Sequence, residues 1–156
     1  TTLIRTARGK SILIQHDITS PRPYNRLHTI SGTKGFAQKY PIRSLAFDPD
    51  AHHRLSDEQL DQMLRRYEHP ITREIGEKAR EVGGHGGMDF IMDYRLVYCL
   101  RHGLPLDQDV YDAAEWSSLA ELTEASVRNS SMPVAMPDFT RGAWRKVEGF
   151  SHAMAE

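Results

Sequence analysis

An internal disulfide is excluded at once, because the 156-residue chain holds one cysteine, Cys99. That thiol lies inside the apolar stretch 88–100 and reads as a buried structural residue rather than a nucleophile. Long apolar runs are also lacking: nothing approaches the ~20 residues of a membrane span. Charge of one sign is missing too, with 20 Lys and Arg against 21 Asp and Glu. Such a balance argues against a dedicated nucleic-acid surface or a polybasic membrane patch. What is present suffices for a globular fold with one core. There is no initiating Met and no leader pattern, and Thr1-Thr2-Leu3-Ile4-Arg5-Thr6 already reads as a strand. The chain is therefore expected to be a single domain, 1–156, taken from a longer protein.

Metal and nucleotide motifs are likewise not visible. No His, Cys and carboxylate set has zinc or calcium spacing. No Gly-x-Gly-x-x-Gly follows a strand, and no phosphate-binding Gly-x-x-x-x-Gly-Lys-Ser/Thr occurs. Accordingly no metal ligand, no cofactor-binding residue and no catalytic residue is assigned within this chain.

The first forty residues alternate like an antiparallel sheet of three or four strands. Strands are expected over 2–6 and 11–18, joined by Ala7-Arg8-Gly9-Lys10, then over 26–30 and 36–40. Residues 48–56 read as a polar loop. Helices are expected at about 57–67, with Ser56 and Gln59 as a capping box, and at about 71–81 after His69-Pro70. Two more follow at 88–102, stopped by Gly103, and at about 110–128, capped by Asp109. Sheet first and helices second gives an α+β class: an open, mostly antiparallel sheet with helices packed on one face.

Two places could carry chemistry. In the link 20–26, Arg22, Tyr24 and Arg26 alternate, so in extended chain they project to one side. A phenol between two guanidiniums suits a polyhydroxylated or anionic ligand, although a solvated loop would carry the same residues. The second place is Gly83-Gly84-His85-Gly86-Gly87-Met88-Asp89, four glycines around one histidine ahead of an apolar helix. Glycines let a ligand approach closely. At the positive end of the helix dipole the imidazole is expected to be neutral, and Asp89 to be a partner of dipole and amides. His52-His53 reads as loop surface, and His16 with Asp17 as neighbours on opposite strand faces.

Several strings together resemble one family. They are Ile14-Gln15-His16-Asp17, Ser20-Pro21-Arg22-Pro23-Tyr24-Asn25-Arg26-Leu27-His28, Gly32-Thr33-Lys34-Gly35, Tyr67-Glu68-His69-Pro70, Gly84-His85-Gly86-Gly87-Met88-Asp89-Phe90, Asp109-Val110-Tyr111-Asp112-Ala113-Ala114-Glu115-Trp116 and Pro137-Asp138-Phe139-Thr140. In this order, over about residues 1–145, they resemble the C-terminal portion of glycoside hydrolase family 109. That family comprises NAD-dependent α-N-acetylgalactosaminidases within the Gfo/Idh/MocA oxidoreductase superfamily.

The resemblance implies a two-part bacterial enzyme, in the cytoplasm or periplasm. Its N-terminal Rossmann domain, absent here, would bind NAD. The present chain would be the substrate-binding and oligomerisation domain, dimerising through its sheet, and would bind no NAD by itself. The implied reaction oxidises the sugar C3 hydroxyl, eliminates the aglycone, adds water and returns the hydride, for net hydrolysis. The resemblance gives Tyr24 and His85 substrate contacts, with Arg22 and Arg26 as further contacts or loop anchors. The segment 41–55 is shorter than the resemblance leads one to expect. Two alternatives stand beside the glycosidase: the C-terminal domain of an NAD(P)-dependent sugar or polyol dehydrogenase, and a non-catalytic dimerisation module. In each case the partners are a carbohydrate or a second copy, not nucleic acid or membrane.

Overall fold

The computed structural model describes residues 1–147. The class is α+β and the strand pairing is antiparallel throughout. Five strands precede four helices: β1 (Thr2–Arg5), β2 (Ser11–Ile14), β3 (Thr29–Ser31), β4 (Gly35–Gln38), β5 (Ser44–Phe47), α1 (Asp57–Arg66), α2 (Pro70–Val82), α3 (Met88–His102) and α4 (Val110–Arg128). Of the described residues, 1–14 together with 70–147 form one compact unit, and 15–69 form another.

The single sheet expected over the first forty residues is corrected to two. β1 and β2 form a hairpin, with Leu3 opposite Leu13, and β3-β4-β5 form a separate sheet. The break has a local cause. β2 ends at Ile14 rather than at residue 18, because Asp17 turns the chain: its Oδ1 accepts from the backbone N–H of Thr19 at 3.2 Å and of Ser20 at 3.0 Å. An Asx turn of this kind competes with a strand ladder. Pro21 and Pro23 then withhold two donors, so the strand resumes at Thr29 rather than at Arg26. β5 was not foreseen. It is four residues long and is recognisable by its pairing with β4, Leu45 opposite Ala37.

The helices fall close to their expected bounds because each has a strong end signal. Ser56 caps α1 in a reciprocal box with Gln59, Oγ accepting at 3.2 Å and the backbone N–H donating at 3.0 Å. Asp109 and Asp112 form the equivalent box on α4. Gly103, at φ 63°, closes α3. In the unit from Pro70 onward, α2 buries Ile71, Ile75 and Ala79, and α3 buries Cys99. These lie at four-residue spacing on α2, one stripe of the helix. In the unit 15–69, Leu60 of α1 and Ala46 of β5 are the buried pair.

Among the described residues, one charged side chain is buried. Arg95, 8% exposed, holds Asp107 through Nε at 3.0 Å and Nη2 at 3.1 Å, tying α3 to the segment before α4. These bonds hold the Arg95 guanidinium above its ordinary pKa against the opposing effect of burial. No helix among the described residues is long and apolar enough to cross a membrane.

Candidate functional site

The two sequence-derived places lie in different units, Tyr24 in residues 15–69 and His85 in the unit from Pro70 onward. Each is built by its own local chain.

Around Tyr24 the loop is pinned at its start. Arg22 reaches back to Asp17 at 2.6 Å, while Asp17 also accepts from the two backbone N–H groups of its turn. Those hydrogen bonds, chiefly from Ser20, with the Arg22 charge adding to them, lower the Asp17 carboxyl pKa to about 2. Arg22 is therefore a loop anchor in this structure. Farther along, Asn25 Oδ1 accepts from the Leu27 N–H at 2.7 Å. Tyr24 stands 71% exposed, its hydroxyl accepting from Arg26 Nε and its ring set edge-on to Tyr40 at 5.9 Å. Of the three alternating residues, Tyr24 and Arg26 come together, whereas Arg22 pairs with Asp17 instead.

Asp17 and Tyr40 were not identified as site residues from the sequence. An Asp two residues before Thr and three before Ser-Pro is an Asx-turn signature, so Asp17 could have been found. Tyr40 had no sequence signal, because its ring contact depends on how the sheet returns.

The glycine loop leaves α2 with Gly83 donating to Ala79 O at 3.1 Å. Residues 83–87 all have positive φ, from 48° at His85 to 97° at Gly87. His85 is the one residue of that run that pays for the left-handed region. Gly87 is required twice over: its φ is 97°, and an added Cβ would lie 2.8 Å from the Ala79 carbonyl carbon. α2 and α3 can cross this closely because position 87 has no side chain.

His85 Nδ1 lies 2.9 Å from Asp89 Oδ2. A carboxylate only accepts, so the hydrogen of this bond belongs to Nδ1, and Nε2 is the ring nitrogen outside it. Asp89 sits in the first turn of α3, where a dipole partner was expected, and its carboxylate also pairs with the imidazole. A cavity of about 510 Å³ opens beside this pair, lined by Gly84, Asp89, Phe90, Asp93 and Tyr94 among others. His53 pairs with Asp50 at 2.8 Å on an exposed loop. Among the described residues, no three His, Cys, Asp or Glu side chains are grouped as a metal site.

The described residues lack the strand, glycine turn and helix order of a dinucleotide fingerprint. Every strand pair is antiparallel, and the glycine loop follows the helix α2 rather than a strand.

A family model for the glycosyl hydrolase 109 C-terminal domain matches residues 1–146. The chain belongs to this family. Among the relatives of this family 109 domain, a glycosyl hydrolase family 109 protein of Porphyromonas gingivalis is 54% identical over 100% of the chain and 36% of its own length. Glycosyl hydrolase family 109 protein 1 of Phocaeicola vulgatus is 53% identical over 99% of the chain and 36% of its own length. A protein of Bacteroides fragilis named alpha-N-acetylgalactosaminidase is 58% identical over 94% of the chain and 34% of its own length. The family 109 chain thus spans about a third of the length of the curated relatives it matches. The match is to the C-terminal domain of that family.

Proposed function

We propose that the full-length protein hydrolyses α-N-acetylgalactosaminides and that this domain supplies contacts to the sugar. The observation that carries the reading is Tyr24, exposed on a loop whose start is locked by Asp17 and Arg22. A sugar ring offers C–H faces and hydroxyls, and a tyrosine offers a flat apolar face with a hydroxyl at its edge. Arg26 fixes that hydroxyl from one side, leaving it able to donate to a sugar hydroxyl or acetamido oxygen. In the other unit, and argued by itself, His85 offers Nε2 as a substrate contact, its ring oriented by Asp89. The 58% identity to the Bacteroides fragilis protein named alpha-N-acetylgalactosaminidase supports the substrate class. NAD, which the family resemblance implies as hydride acceptor and donor, is assigned to the part of the protein outside these residues.

The test is Tyr24→Phe in the full-length protein, assayed on a nitrophenyl α-N-acetylgalactosaminide. Loss of one hydrogen bond to a neutral group costs about 0.5–1.5 kcal/mol, a KM rise of roughly two- to twelve-fold. Unchanged KM and kcat would remove Tyr24 from the site. Hydrolysis without net accumulation of reduced NAD separates the glycosidase from a sugar dehydrogenase.

A further inference from the structure

A second cavity, of about 440 Å³, lies within the unit 15–69, between the β3-β4-β5 sheet and α1. Its floor is apolar: Ile30, Leu45, Leu60 and Leu64. Its charged side chains are of one sign, because Lys39 and Arg43 line it and no carboxylate does. Arg43 has neither an ion pair nor a side-chain hydrogen bond among the described residues, and Lys39 Nζ has only the face of Tyr40, 5.6 Å from the ring centroid. Cations left unneutralised around an apolar floor favour an anion attached to an apolar body.

Two ring contacts link the lining of this groove to Tyr24. His28, which lines it, lies 6.3 Å from the Tyr40 ring, and Tyr40 takes the edge of Tyr24 at 5.9 Å. The backbone ties the same residues together, the Lys39 N–H donating to His28 O at 2.8 Å. A substrate whose sugar touches Tyr24 would extend its leaving group over Tyr40 into the groove.

We propose that the groove is a subsite for the aglycone, and that it selects an aglycone with an apolar body and an acidic group. The floor takes the apolar body, while Arg43 and Lys39 take the acid. The assignment rests on the sugar-binding reading of Tyr24, and the test below separates the two.

Two aryl α-N-acetylgalactosaminides are compared on the full-length protein, one bearing a carboxymethyl group on the ring and one the neutral carbamoylmethyl group. The methylene keeps the acidity of the two leaving phenols close, so KM and calorimetric affinity report the groove. The acid is expected to bind tighter by roughly two- to five-fold for each cation engaged. The preference should shrink towards one in Arg43→Gln and in Lys39→Gln, and in the native protein at about 1 M salt, where screening acts over about 3 Å. Equal binding of acid and amide overturns the proposal, as does a preference that both substitutions leave intact. Tyr24→Phe should weaken both compounds by the same factor. If it weakens neither while the acid preference persists, the sugar reading fails and the anion subsite stands. Calorimetry reads the ratio even where neither glycoside is hydrolysed.

Discussion

His85 and Asp89 form an i, i+4 pair across the start of α3, Nδ1 to Oδ2 at 2.9 Å, with the imidazole on a left-handed backbone at φ 48°. The carboxylate fixes which ring nitrogen faces outward. Asp89→Asn in the full-length protein can keep the shape, but its amide presents either a donor or an acceptor to Nδ1. The pair is exposed, 72% and 44% for the two side chains, so its contribution is about 0.5–1 kcal/mol. A two- to five-fold loss in kcat/KM on an α-N-acetylgalactosaminide is expected, roughly that energy converted. A kcat/KM identical to the native protein's would show that His85 takes no part.

Asp17 gives a prediction in acid. Its folded-state pKa, about 2, lies below its ordinary value of 3.8. The folded loop therefore binds fewer protons than the unfolded chain, and the contribution of this carboxylate is fully present above about pH 4. It is lost as the pH falls from about 4 to about 2. Carboxyl carbon shifts of Asp17, followed by NMR, should give a midpoint near 2, with the amide resonances of Thr19 and Ser20 moving in the same transition. A midpoint near 4 would mean that the Asx turn and the Arg22 pair are not formed in solution.

The third prediction concerns Arg95. Asp107→Ala leaves a guanidinium 8% exposed with no counter-charge. Breaking a buried pair from one side costs about 3–5 kcal/mol, and the Asp107 side chain, 33% exposed, lowers this to about 2–3 kcal/mol. Chemical denaturation measures it. The double substitution Arg95→Met with Asp107→Ala should recover most of the loss, since an apolar side chain needs no partner there. A single variant as stable as the native protein would show that water already satisfies Arg95.

Local chemistry made much of this chain legible before any coordinates. Ser56, Asp109 and Gly103 set helix ends through hydrogen bonds and backbone angles spanning only a few residues, so α1, α3 and α4 fall within about a residue of their expected bounds. The glycines around His85 marked a loop from residue type alone, and its backbone takes positive φ throughout 83–87. The family itself was readable from short strings on those local elements.

Tertiary structure decided what depends on residues distant in sequence. Whether the first strands made one sheet or two turned on Asp17 choosing its own backbone over a ladder. The meeting of Tyr24 with Tyr40, and of Asp107 with Arg95, required the chain to return over 16 and 12 residues. Periodicity reports which face of an element is apolar, but not which neighbour will cover it. Glycine at 87 illustrates the division: its freedom of rotation is written in the residue type, while the need for it comes from Ala79, whose backbone packs where a side chain would have been.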